Sequence, residues 1–145
     1  MGSFILFILL ILIVVVSVVI LLVKVVGSIK LIKDGKTISA EALFDTGAGR
    51  SYVDKRIAEF LGYEKYDKPV YIDLAVKNLK AKVIGYLVAR VEIEGHLLPE
   101  VEVFGVIDGL VKDVIVGLNI IEPYEIILEK DRISFKRLPP TTAIV

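Results

Sequence analysis

The chain of 145 residues suits one domain of ordinary size, and it balances 18 basic against 18 acidic residues. A formal charge of +0 offers no bulk field to nucleic acid, and the absence of cysteine excludes disulfides, thiolate nucleophiles and Cys-based metal sites. Apolar residues make up 55% of the chain, an excess that is concentrated near its start.

Residues 4–23 are apolar except for Ser17, a run long enough to cross a hydrocarbon core of about 30 Å as a helix. The basic start, shorter apolar region and small-residue cleavage site of a signal peptide are all missing, which predicts a retained single-pass anchor in the cell membrane. Residues 1–3 read as a short tail and residues 24–27 as a linker. Lys24, Lys30, Lys33 and Lys36 follow the run and none precedes it, so the positive-inside rule puts the rest of the chain on the cytoplasmic side. A β-rich domain is expected over residues 28–137, with residues 138–145 as a tail after Pro139-Pro140.

Within that domain, residues 29–33 and 37–44 read as strands joined at Asp34-Gly35, a strong hairpin signal. In the second strand Ile38, Ala40, Ala42 and Phe44 fall on one face. Residues 54–61 predict a short helix, with Asp54 as N-cap, Gly62 as stop, and Ile57, Ala58, Phe60 and Leu61 as its apolar face. Residues 70–75 and 80–88 read as strands connected around Val76-Lys77-Asn78-Leu79, an exposed hairpin. Residues 88–94 and 97–106 alternate, with Val91, Ile93, Val101 and Val103 inward and Arg90, Glu92, Glu100 and Glu102 outward. His96, the lone histidine, lies at their turn without partner ligands and reads as a solvated residue. Val114-Ile115-Val116-Gly117 is a short apolar strand ending in glycine, followed by a helical turn over residues 118–121 that stops at Pro123. Residues 124–128 and 132–136 form a last hairpin.

The run Ala42-Leu43-Phe44-Asp45-Thr46-Gly47-Ala48 carries the chemistry. It puts one carboxylate on a glycine-supported turn at the end of a half-buried strand. A lone carboxylate near its reference pKa of about 3.9 is a weak base at neutral pH. Two held together cannot both ionise cheaply, so the pair keeps one proton over a wide pH range. The ionised member then takes a proton from water while the protonated one polarises an amide carbonyl, which is general acid–base hydrolysis needing neither metal nor cofactor. The tripeptide occurs once; Asp34-Gly35 and Asp108-Gly109 lack the threonine and the strand context. A second copy must therefore come from a second chain across a two-fold axis.

With Ser51-Tyr52-Val53, the short helix and Leu61-Gly62 behind it, this run resembles the retropepsin-like aspartic proteases, in particular cellular and transposon-type members. Val114-Ile115-Val116-Gly117-Leu118-Asn119 is similar to their second signature, in which Val116 and Gly117 are the marker residues, and residues 124–135 to their closing hairpin. The resemblance spans about residues 28–136. It implies an all-β acid-protease barrel with one or two short helices, working as a homodimer on polypeptide substrates, with nucleic acid not a partner. Asp45 would be catalytic, Thr46 the hydroxyl that reaches across the dimer, Gly47 and Ala48 the turn support. Ala75, Val76, Lys77, Asn78, Leu79, Lys80 and Ala81 would form the flap that closes over substrate. Gly49 stands where viral members carry an acidic residue and others serine; the flap lacks the usual glycines, and Asn119 replaces a common aspartate. The leading expectation is a membrane-anchored homodimeric aspartic endopeptidase. The alternative is a catalytically inactive retropepsin-like dimer that binds a peptide strand as a membrane adaptor, and a structural β-domain with a chance motif ranks third.

Overall fold

The computed structural model describes residues 2–21, 24–73 and 80–137. Helix α1 (Gly2–Leu21) opens the chain, and the apolar side chains from Phe4 to Val14 are exposed along it. Among the described residues no helix is long and apolar enough to cross a membrane.

Strands β1 (Lys24–Lys33) and β2 (Lys36–Asp45) form the expected antiparallel hairpin about Asp34-Gly35, with Lys24 opposite Asp45. Period-2 alternation buries Ala42 and Phe44 and half-buries Ile38 and Ala40 on one face of β2. Residues 24–27 are strand rather than linker. Val25 shares the inward parity of Ile29 and Leu31 and is itself buried, so the core extends the ladder back to Lys24.

The three-residue strand β3 (Tyr52–Asp54) runs into helix α2 (Lys55–Leu61), where the Asp54 carboxylate accepts from the Arg56 N–H as N-cap and Gly62 ends the helix. Ile57, Ala58 and Leu61 bury the inner face. Phe60, expected there too, is exposed and lies beneath the Lys36 ammonium at 5.9 Å from its ring centre.

Strands β4 (Glu64–Asp73) and β5 (Lys80–Ile93) follow, then the two-residue β6 (His96–Leu97) and β7 (Glu102–Ile107). β5 is one continuous strand where two were expected. Its first half pairs with β4 and β7 and its last residues with β1, so a single strand serves two neighbours in succession. Val91 and Ile93 point inward as expected. Val101 and Val103 do not: they are about half exposed, and Phe104 and Val106 fill the core instead. Pro99 cannot donate to a ladder, so pairing lapses between β6 and β7 and resumes with the opposite parity. His96 packs edge-on against Phe135 at 5.3 Å, a packing role rather than a solvated one.

Strand β8 (Val114–Val116), helix α3 (Leu118–Ile121) and the hairpin of β9 (Ile126–Glu129) with β10 (Arg132–Phe135) complete the chain. The order β1-β2-β8-β3-β7-β5 closes because β5 returns to β1, with β4 and β6 joined to β5 outside the ring. This is the all-β barrel with short helices that the sequence implied. Its core is built on Phe44, Phe104, Leu31, Leu87, Leu98 and Ile120.

Candidate active site

β8 lies between β2, to which it runs parallel, and β3, to which it runs antiparallel. Phe44 is level with Val116, and Tyr52 with Ile115, so residues 45–51 must cross over the end of β8 to pass from one neighbour to the other. Gly117 sits under that crossing. A Cβ there would lie 2.3 Å from the Arg50 carbonyl oxygen and 2.6 Å from that of Ala48. Glycine after two apolar residues is therefore a steric requirement of the loop above it, not of its own backbone angles.

Polar contacts hold the crossing in place. The Leu118 N–H donates to the Ala48 carbonyl at 2.8 Å, and the Gly105 N–H to that of Ser51 at 3.0 Å. Ser51 is buried; its hydroxyl accepts from the Gly117 N–H at 2.9 Å and donates to Asn119 Oδ1 at 2.7 Å. Loop, second signature and β7 are thus one bonded unit. Ser51 and Asn119 entered the sequence reading only as parts of the two motifs, without this mutual bond. The available signal was a short hydroxyl between the Asp45 turn and an apolar strand, where a buried donor and acceptor is needed.

Asp45 ends β2 at the head of this loop. Its carbonyl accepts from the Ala48 N–H at 3.1 Å and its Oδ1 from the Gly47 N–H at 2.8 Å. Oδ2 lies 3.9 Å from Lys24 Nζ, across the first rung of the β1–β2 ladder. The Asp45 side chain is 16% exposed and Lys24 62%, a geometry in which solvent screens most of the attraction. Lys24 entered the sequence reading only as a flanking charge; its pairing with Asp45 follows from a ladder longer than expected.

Asp45, Gly47, Ala48 and Gly49 line a cavity of about 490 Å³. Residues 107–111 form one side of it, and Ile72, Asp73, Lys80, Ala81 and Lys82 the other. Lys80 and Ala81, expected in the flap, therefore border the same space as Asp45. Ala75, Val76, Lys77, Asn78 and Leu79 lie outside the described residues. Thr46 is half-buried in the turn, and Val116 is buried beneath it.

The wall at residues 107–111 is tied down by a second carboxylate. Asp54 Oδ1 accepts from the Leu110 N–H at 2.9 Å, and its Oδ2 accepts from Arg56 Nε at 2.8 Å. Arg56 in turn reaches Asp113 at 3.1 Å. Burial alone would raise the Asp54 carboxyl, but the hydrogen bonds from Arg56 and Leu110 and the Arg56 charge outweigh it and hold it below the usual carboxylate range. The N-cap was legible in the sequence; its second bond, to the cavity wall, was not.

A family model described as gag-polyprotein putative aspartyl protease matches residues 29–123. No curated protein matches the chain in sequence. Among solved structures, the retroviral protease-like domain of Ddi1 from Leishmania major aligns with a TM-score of 0.55 at 18% identity, over 83% of this chain and 98% of that one. A retropepsin-like aspartic protease from Rickettsia conorii aligns at 22% identity with a TM-score of 0.43, over 75% of this chain and 90% of that one. At such identity the Leishmania domain speaks for the fold alone.

Proposed function

The chain belongs to the gag-polyprotein putative aspartyl protease family, and from that premise we propose that it is a membrane-anchored, homodimeric aspartic endopeptidase cleaving extended polypeptide segments. The observation that carries this reading is the Asp45 turn. It is clamped over β8 by Gly117 and Ser51, and its carboxylate borders a cavity of about 490 Å³. A structural aspartate would be spent on internal donors; among the described residues, Asp45 Oδ1 accepts from the Gly47 N–H and Oδ2 has a screened lysine 3.9 Å away.

Two chains related by a two-fold axis would bring their Asp45 turns together, with Thr46 bonding across the axis. One carboxylate removes a proton from a water held between the pair, and the hydroxyl oxygen attacks the peptide carbonyl carbon. The other carboxyl gives its proton to the carbonyl oxygen, forming a neutral gem-diol. The first carboxyl then gives its proton to the amide nitrogen while the other carboxylate takes one from a gem-diol hydroxyl, so the C–N bond breaks to an amine and a carboxylic acid and the pair again holds one proton. The flap over residues 75–81 would cover the substrate during these steps.

The anchor is supported by the apolar run of residues 4–23 and by the helical course of Gly2–Leu21. The cytoplasmic placement rests on the lysines that follow the run. Confinement to a membrane raises the effective concentration of protomers, which favours a weak dimer.

The test uses the full-length protein in detergent with denatured casein as substrate. Cleavage is expected to be inhibited by a statine peptide and to fall about 1,000-fold or more in Asp45→Asn. Cleavage that survives Asp45→Asn would sink the mechanism. Peptide binding without any cleavage by the unaltered protein would favour the adaptor instead. Carbonate extraction of membranes tests the anchor, and release of the protein into the soluble fraction would exclude it.

A further inference from the structure

The ladder of β1 and β2 fixes how far Asp45 can stand from the apolar run at the start of the chain. Lys24 and Asp45 form its first rung, so their Cα atoms lie about 5 Å apart. Leu21, the last residue of α1, precedes Lys24 by three positions. Three peptide units reach at most about 11 Å, whatever path they take. Asp45 therefore lies within about 16 Å of the end of α1. The far turn of the hairpin, at Asp34-Gly35, is about 30 Å up the ladder from Lys24.

This tether has no slack. Val25 is 2% exposed, and Val26 and Gly27 are already level with Leu43 and Ala42 of β2. Farther along, the same strand pairs with β5 from Ile29 to Ile32. Moving the Asp45 turn away from the start of β1 would strip a buried valine and the first rungs from the barrel.

Where residues 4–23 span a bilayer, as proposed above, Lys24 is the first residue beyond the hydrocarbon and its ammonium sits among the headgroups. The headgroup layer is about 5–8 Å deep on each side. The same ammonium is 3.9 Å from Asp45 Oδ2, so the catalytic turn is level with that layer or just above it. Two chains held in one membrane share a two-fold axis along its normal, which puts both Asp45 turns at one height. A polypeptide strand that reaches them must run close to the bilayer surface.

We propose that the site selects polypeptides that are themselves fixed in the membrane, and cuts them in the extended segment next to the point where they leave it. The inference rests on the anchored protease proposed above and deepens that reading by naming its substrate class. An extended strand rises about 3.3 Å per residue, so about ten residues beyond an apolar span climb well past Asp45. Bonds nearer the surface are presented at the height of the carboxylates. Sharing a membrane with the site also gives them a high effective concentration. Polypeptides free in solution have neither advantage.

The test has two arms, so that failure of the placement and failure of the protease are told apart. In the first, full-length Asp45→Asn protein is placed in liposomes whose headgroups carry a fluorescence quencher. The chain lacks cysteine, so Gly49→Cys and Thr37→Cys each supply one labelling position. Both positions are exposed, the first in the Asp45 loop and the second near the far turn. A fluorophore on Gly49→Cys should lose most of its emission, and at least as large a share as one on Thr37→Cys. Little quenching in Gly49→Cys, or less than in Thr37→Cys, overturns the placement whether or not the protein is a protease.

In the second arm, the unaltered full-length protein shares liposomes with a single-pass polypeptide carrying a segment that it cuts in denatured casein. That segment either follows the apolar span directly or is lifted by a proline-rich spacer of about 20 residues, which extends about 60 Å. The direct form should be cut about 10-fold or more faster. Equal rates, or faster cutting of the lifted form, overturn the proposal, and casein cleavage in detergent then leaves the protease standing. Loss of casein cleavage as well is failure of the protease reading, and extraction of the protein by carbonate is failure of the anchor; either removes this proposal with it.

Discussion

Asp45 and Asp54 lie on either side of one short crossover, and the chain treats their carboxylates in opposite ways. Asp54 is buried and fully engaged: it accepts from the Arg56 N–H and guanidinium and from the Leu110 N–H. Among the described residues, Asp45 accepts from the Gly47 N–H, is neighboured by a screened lysine and borders a cavity. The first is a carboxylate consumed by architecture. Among the described residues, hydrogen-bond engagement is what distinguishes the two carboxylates.

The sharpest way to break this comparison is to neutralise each in turn. Asp45→Asn should cost about 1,000-fold or more in peptide hydrolysis while leaving the melting temperature within about 2 °C of the unaltered protein. A large thermal loss in that variant would show Asp45 to be structural as well. Gly117→Ala comes next, because its methyl group must push against two backbone carbonyls of the crossover. Urea unfolding should show a loss of about 3 kcal/mol, with hydrolysis falling in step as the Asp45 turn moves. Asp54→Asn should cost about 2 kcal/mol and raise KM more than it lowers kcat, since it frees the wall at Leu110 without touching Asp45.

The same pair gives a pH test. The Asp54 carboxyl is held below its ordinary value in the folded chain, so its stabilisation is complete above the unfolded pKa of about 3.9 and is lost as pH falls through the folded value. The stability gap between the unaltered protein and Asp54→Asn should therefore narrow steadily below about pH 4; a gap that stays constant to pH 2 would contradict the assigned hydrogen bonds. The smallest effect belongs to Lys24→Gln. With the lysine 62% exposed and 3.9 Å from Asp45, unfolding should shift by no more than about 1 kcal/mol.

Much of this was legible in the amino-acid order. Alternation along residues 37–44 placed the core beneath the strand leading to Asp45, and Asp54 with Gly62 bounded α2 through local capping chemistry. Local rules failed where distant partners decided the outcome. Val101 and Val103 were read inward from an alternation that Pro99 interrupts, and both are instead about half exposed. Phe60 fits a helical apolar face, yet it meets Lys36 rather than the core.

The sequence by itself determined the β-rich class, the single acidic turn and the glycine that must follow an apolar pair, because period, turn chemistry and residue count act over a few neighbouring positions. Only the tertiary structure decided that Gly117 lies under the Ala48 and Arg50 carbonyls, that Ser51 binds Asn119, and that Asp54 reaches Leu110. Those contacts join residues more than fifty positions apart. Their geometry is set by the closing of a barrel around a shared core, which no short window of sequence contains.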